Sequence, residues 1–422
     1  MGANIYVRIR AFFITLIVFV FIVPAIAQQE LGSFRLPKHK KTLTIPFELV
    51  HNLILIPLSI NGSDTLRFIL DTGVSTTVIT SLPNSEDINL KYVRKLDLNG
   101  LGEGNSIQAL YSTGNTLSIH DAIGYNHEVL FLLDDVFHLS ASMGTYVHGL
   151  IGYDVFRNFI VEISYVKKKI YLHDPVRYNK KYRKMKVKWE ALPISLEKEK
   201  PYITANILQK DSTKLNIKLL VDSGASHALS LYPITHNKLA IPDDTFRSFL
   251  GAGLSGEIFG YVGRVKELWL GNYNFTDPIV SYPDETSIQK VLDFSDRNGS
   301  LGSEILKRFR VVYHYNDKTI LLKPNTEYKN AFRYNMSGIE VSTPIPGMPI
   351  YEISKVRANS PAKQAGLLKG DQIMMINGVK ATRYSLNDIV SLFQSRDGRK
   401  IRLYIQRVDK TYKTEIVLQN KI

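Results

Sequence analysis

The chain has 422 residues, 44% hydrophobic and 22% charged, which is more than one core supports, so two or three cores are expected. Cysteine is absent, which excludes disulfides, thiol catalysis and Cys-ligated metal sites. The formal net charge of +14 invites an anionic partner, but no recognition helix or base-stacking motif accompanies it, so nucleic acid is not expected.

Residues 1–27 read as a signal peptide. Arg8 and Arg10 form a basic start, Ala11 to Val23 is apolar, and Pro24-Ala25-Ile26-Ala27 offers an Ala-x-Ala cleavage site before Gln28. The apolar run falls short of the roughly 20 residues that span a bilayer, so cleavage is expected and not a permanent anchor. An exported chain without cysteine points to a bacterial periplasm, cell envelope or extracellular space. Residues 28–45 make an N-terminal segment that is short for a masking propeptide.

From residue 46 to 325 the chain reads as strands, with 23 Tyr and 19 Phe in the composition and short β-branched runs between turn signals such as Asn61-Gly62 and Gly271-Asn272. Two phrases stand out. Leu66-Arg67-Phe68-Ile69-Leu70 runs into Asp71-Thr72-Gly73-Val74-Ser75, and Ile217-Lys218-Leu219-Leu220-Val221 runs into Asp222-Ser223-Gly224-Ala225-Ser226. The repeat extends further: Gly100-Leu101-Gly102 corresponds to Gly251-Ala252-Gly253, and Gly149-Leu150-Ile151-Gly152 to Gly299-Ser300-Leu301-Gly302. Each copy then enters a hairpin pattern, Ile163 to His173 and Val311 to Lys323. Landmarks offset by 150 or 151 residues define two pseudo-symmetric lobes, 46–176 and 190–325. Helices are expected only at Asp154 to Asn158 and Glu304 to Arg308. Asp154 and Glu304 themselves are expected in structural ion pairs. Between the lobes, 177–189 carries seven basic residues from Arg177 to Lys188 and reads as a solvated linker or edge strand, or as a site of attraction to an anionic envelope surface.

Residues 331–422 change character. Ser337-Gly338-Ile339-Glu340-Val341 is followed by Ser360-Pro361, which open a short helix closed by Gly366. Asp371 starts a strand to Ile376 that ends in an Asn377-Gly378 turn. Ser385 caps an amphipathic helix with Leu386, Ile389, Val390 and Phe393 on one face, and two strands finish the unit.

The repeated phrase carries chemistry. Glycine permits a sharp turn after each apolar strand. The Thr72 and Ser223 hydroxyls can bond across a two-fold axis, and Ser75 and Ser226 can donate to the outer carboxylate oxygens. Asp71 and Asp222 would then share one proton, since both cannot ionise comfortably side by side. One carboxylate can draw a proton from water while its protonated partner polarises a peptide carbonyl, with no metal or cofactor.

At these residues the chain resembles the aspartic peptidases, the pepsin and retroviral-protease clan, over about 280 residues. The resemblance implies an all-β bilobal acid-protease fold, Asp71 and Asp222 as the catalytic pair, Thr72, Gly73, Ser75, Ser223, Gly224 and Ser226 as support, and Gly100, Gly102, Gly251 and Gly253 as flap tips. Val74 departs from the more usual Ala. Gly-rich candidates occur in both lobes, as in two-flap retroviral enzymes, and Tyr111 is the candidate for a pepsin-like flap tyrosine. His227 is expected to line the site or its rim. Residues 331–422 resemble a PDZ domain of the type attached to bacterial envelope proteases. That resemblance implies an extended peptide, often a C-terminus, docking as an added strand at Gly338 and Ile339, with Ile389 and Phe393 lining its pocket. The expected protein is an exported aspartic endopeptidase, a monomer acting on proteins or peptides, with the PDZ unit recruiting substrate, regulating turnover or serving as a structural cap. The alternative is a non-catalytic envelope peptide-binding protein.

Overall fold

The structure is a computed structural model describing residues 32–82, 88–98, 107–253, 256–292 and 295–422. Within these the chain is mostly strand, arranged in four sheets. One belongs to each lobe, one joins the lobes, and one belongs to the C-terminal unit. The helices are short apart from one: α1 (Leu139–Met143), α2 (Tyr153–Phe156), α3 (Pro175–Lys188), α4 (Glu285–Leu292), α5 (Ser303–Leu306), α6 (Pro361–Gln364) and α7 (Leu386–Phe393). Among the described residues no helix is long and apolar enough to cross a membrane.

The repeat seen in sequence is a repeat of topology. In lobe 1, Gly149–Ile151 slides between two strands, parallel to Leu66–Leu70 and antiparallel to Thr77–Ile79. In lobe 2, Gly299–Leu301 does the same between Lys214–Val221 and Leu229–Leu231. The fit explains the first glycine of each copy. A Cβ at Gly149 would stand 1.9 Å from the Val78 carbonyl oxygen, and one at Gly299 would stand 1.9 Å from that of Ser230. The back strand ends directly behind the Asp loop: Asp71 N–H donates to Ile151 O at 2.8 Å, and Asp222 N–H to Leu301 O at 2.9 Å.

A six-stranded sheet joins the lobes through its central pair, Ile160–Ser164 against Phe309–His314, with Glu162 opposite Val312. Its faces differ. Val161, Ile163, Val311 and Tyr313 point into the large core shared by both lobes. Ile160, Val312 and Leu321 point outward and are covered by Tyr178 and Tyr182 of α3. Here the expectation of an edge strand over 177–189 is corrected, because Pro175–Lys188 is helix. Asp174 caps α3 by accepting from Val176 and Arg177 N–H, with Pro175 in the first turn. The helices α1 and α4 were likewise not expected. Asp154 pairs with His127, and Glu304 with Lys307 and Arg308, so both are structural, as expected.

The C-terminal unit has its own core, centred on Ile353, Ile376, Ile389, Phe393, Ile401 and Leu403. Asp371 is fully buried and is gripped by Arg407, Nε to Oδ1 at 2.6 Å and Nη2 to Oδ2 at 2.8 Å, while Leu368 N–H donates to Oδ2. Asp371→Ala leaves the Arg407 charge without its partner, and such losses cost about 3–5 kcal/mol when the pair is buried. Arg407 is partly exposed, so the lower end is expected. Denaturant titration of the variant should show the C-terminal unit melting well before the lobes; a single unshifted transition would contradict this.

Candidate functional site

The two Asp loops meet through reciprocal hydrogen bonds. Thr72 N–H donates to Ser223 Oγ at 3.0 Å, and Ser223 N–H donates to Thr72 Oγ1 at 2.9 Å. Each hydroxyl then reaches the strand leading into the opposite Asp: Thr72 Oγ1 to Val221 O at 2.6 Å, and Ser223 Oγ to Leu70 O at 2.8 Å. Both residues are buried, at 1% and 0% exposure, so these bonds are not exchanged for water. The loops interlock because each carries a hydroxyl where the other has a free carbonyl.

The interlock brings Asp71 and Asp222 together. Within its own loop, Gly73 N–H donates to Asp71 Oδ1 at 2.7 Å, and Gly224 N–H to Asp222 Oδ1 at 3.1 Å. The opposite loop is equally near: a Cβ on Gly224 would lie 2.2 Å from the Asp71 carboxyl carbon, and one on Gly73 would lie 3.4 Å from Asp222 Oδ1. Burial, and next the charge of Asp222, raise the Asp71 pKa to about 8 against the opposing pull of Gly73 N–H and Lys200, and a hydrogen bond between the two carboxyls adds to the rise. Beneath the pair lies an aromatic floor in which Tyr315 stacks on Phe156 at 5.3 Å and Tyr313 meets Phe156 edge-on at 5.1 Å.

This raised pKa has a thermodynamic consequence. The folded protein holds a proton on Asp71 that the unfolded chain releases in the ordinary carboxylate range. Between that range and about pH 8 the folded state binds more protons, so rising pH favours unfolding, by at most about 1.4 kcal/mol per pH unit. Asp71→Asn removes this dependence. The melting point of the variant is therefore expected to exceed that of the wild type by a margin that widens from acidic to neutral pH. A constant margin would show that the carboxyl keeps its ordinary affinity.

The other sequence candidates fare unevenly. Ser75 is half-buried and Ser226 exposed, and among the described residues neither hydroxyl bonds a carboxylate. The Oδ1 atoms are already taken by backbone N–H groups, and the Ser226 carbonyl accepts from Asn52 Nδ2 at 3.0 Å. Gly100 and Gly102 lie outside the described residues. Gly251 and Gly253 close a hairpin, Phe246–Gly253 with Gly256–Arg264, bulged between Phe249 and Gly251. Gly251 has φ +142° and Gly256 has φ +116°, a region that side chains resist. Tyr111 lies in the stem of the equivalent lobe-1 hairpin, with Arg94 4.7 Å above its ring. His227 Nε2 is 3.0 Å from Ser300 Oγ; burial lowers its pKa and Asp222 opposes the shift.

Three features were not legible in the sequence. Lys200, opposite Glu197 across a tight turn, faces both aspartates electrostatically; burial and then Arg297 lower its pKa. Turns at His51-Asn52 and Lys198-Glu199, all at positive φ, project towards the opposite lobes. Asn52 bonds the Ser226 carbonyl, Glu304 and Lys307 of lobe 2, and Glu199 feels Arg157 and Asp154 of lobe 1. The third is the seating of the C-terminal unit. On lobe 1, Thr343 N–H donates to Ala141 O at 2.8 Å, and His51 N–H donates to Asn387 Oδ1 at 3.1 Å. On lobe 2, Phe246 packs on Tyr334 at 5.2 Å beneath Arg357, and Lys355 pairs with Glu257 and lies 4.6 Å from the Phe249 ring.

That seating bears on the expected peptide groove. Among the described residues the edge strand Ile339–Ser342 pairs on one side only, so residues 339, 341 and 343 turn their backbone groups to the groove. Ile339 N–H already donates to Ser337 Oγ at 3.1 Å, and its carbonyl accepts from Asn335 Nδ2 at 2.6 Å. Thr343 is held by Ala141 of lobe 1. Ile389 and Phe393 are 0% exposed and belong to the core of the unit. An added peptide strand would first have to break these bonds.

Residues 56–155 match the family model described as aspartyl protease, a span that includes the Asp71 loop and its back strand. Residues 352–407 match the model described as PDZ domain. No curated protein matches the chain. The second lobe, outside both matches, is tied to the first by the shared topology of its Asp loop and back strand. The chain therefore carries a segment similar to aspartyl proteases in its first lobe and a segment similar to PDZ domains near its C-terminal end.

Proposed function

We propose that this protein is an aspartic endopeptidase whose catalytic pair is Asp71 and Asp222. The observation that carries the reading is the interlocked loop pair, which holds two carboxyls side by side, where burial and the charge of Asp222 raise the Asp71 pKa to about 8. With that proton on Asp71, its hydroxyl can donate to the carbonyl oxygen of a bound peptide. The Asp222 carboxylate takes a proton from a water molecule between the two groups, the water oxygen attacks the carbonyl carbon, and the nitrogen leaves with the proton returned to it. The apolar floor and the close loops keep this exchange in a low dielectric, where a shared proton counts for more.

The PDZ unit in this reading regulates the enzyme from an occupied groove, and does so through the 246–264 hairpin. We also place the mature enzyme in a bacterial envelope compartment, on the strength of the N-terminal leader, with Gln28 as the first residue of the secreted form. Incubation with denatured proteins tests the activity: internal fragments should accumulate, and in heavy-oxygen water each new carboxyl terminus should carry one solvent oxygen. If no fragment forms between acidic and neutral pH, the enzyme reading fails and peptide binding without cleavage replaces it.

A further inference from the structure

The helix α3 has two unlike faces. Tyr178, Tyr182 and Met185, spaced four and three residues apart, lie against the outer face of the inter-lobe sheet. Helical spacing puts Val176, Lys180, Arg183 and Val187 on the opposite ridge, at i, i+4, i+7 and i+11. These two valines are 85% and 88% exposed, among the most exposed large apolar side chains described. Arg177, Lys181, Lys184 and Lys188 flank the ridge and are exposed as well. The acidic groups nearby do not cancel this charge. Asp174 is occupied as the helix cap, and Asp317 takes Lys186 and Tyr182. Among the described residues no ion pair engages Lys180, Lys181, Arg183, Lys184 or Lys188. The patch also continues beyond the helix, since Arg177 Nη1 donates to the carbonyls of Lys38 and Lys40, which bring Lys38 and Lys41 alongside.

We propose that this ridge docks the protein on an anionic lipid bilayer. Cations alone would suit any polyanion, but two bare valines about 16 Å apart at the ends of a lysine-rich ridge add an apolar contact that only a bilayer accepts. The lysines can keep their ammonium groups at the level of the lipid phosphates while the valines enter between head groups. The docked orientation follows from the fold. The aspartates lie on the inner side of the inter-lobe sheet, where Tyr313 and Tyr315 sense their charge, and α3 lies on the outer side. A bilayer at α3 therefore leaves the sheet between itself and the cleft. The inference rests on α3 and is independent of the peptidase reading.

Co-sedimentation of residues 28–422, which contain the whole compact unit, with phosphatidylcholine vesicles doped with phosphatidylglycerol tests it. Binding is expected to the doped vesicles and not to phosphatidylcholine alone, and to weaken steeply with salt. Lys180→Gln/Arg183→Gln/Lys184→Gln should lower partitioning on the order of 100-fold, near fivefold per charge. Val176→Ser/Val187→Ser should lower it severalfold while leaving capture by a sulfated polysaccharide unchanged. Equal binding to both vesicle types, or full binding by the charge-neutralised variant, overturns the proposal. So does a serine variant that partitions like the wild type, because the partner would then be a soluble polyanion.

Discussion

Asp71→Asn and Asp222→Asn are each expected to lower kcat for peptide hydrolysis by on the order of a thousandfold or more, with little change in KM. The magnitude follows from what each carboxyl does in the proposed cycle, since a positioned acid or base contributes about 10²–10⁴-fold. Each substitution removes one proton-transfer partner but keeps the shape of the loop, because the bonds that hold the loops run through Thr72, Ser223 and backbone groups. Binding should therefore survive. The wild-type profile adds an independent check. Activity needs one proton on the pair, and burial holds that proton on Asp71 up to about pH 8, so turnover should persist at neutral pH and fall as pH rises through that value. Variants as active as the wild type would remove Asp71 and Asp222 from the chemistry. A collapse of activity already below neutral pH would instead show that the proton leaves at an ordinary carboxylate value.

The second large effect is expected at the hairpin. Release by Phe246→Ala/Lys355→Glu should loosen the 246–264 hairpin while both cores stay intact. Its contacts with the PDZ unit include an aromatic pair, three cation–ring contacts and one ion pair with an exposed acid. Taken together and discounted for exposure, these amount to about 2–3 kcal/mol. The hairpin amides should then exchange with deuterium on the order of 30–100-fold faster. Bulky protein substrates should be cut faster and short peptides should show a higher KM. Unchanged exchange across 246–264 would show that the PDZ unit does not restrain the hairpin, and would return it to the role of a structural cap.

The two-lobed half of this architecture was legible because its cause is local and written twice. An apolar strand, an acid, a hydroxyl and a glycine recur at a fixed offset, and the back-strand glycines recur with them because a carbonyl crowds each one. The helix α3 escaped for the opposite reason. Its buried stripe consists of Tyr178, Tyr182 and Met185 among seven cations, so it lacks the apolar periodicity that marks a helix. Its start signal, Asp174-Pro175, can also be read as the end of the hairpin before it. The occupied groove was beyond any local reading, because Ala141 and Thr343 are some two hundred residues apart in sequence. One part of it did leave a trace. Asn335 stands two residues before Ser337, and an Asn at that spacing folds back on its own backbone.

The turn at His51-Asn52 is bonded to parts of lobe 2 and of the PDZ unit at once. Its side chain grips α5 and the Asp222 loop, while its backbone grips the first turn of α7. Were the lobes to rotate about their common sheet, this turn would move with lobe 1 and pull on both partners together. A change in cleft width should then be felt as a displacement of the PDZ helix, and a ligand that moved that helix would change the width of the cleft.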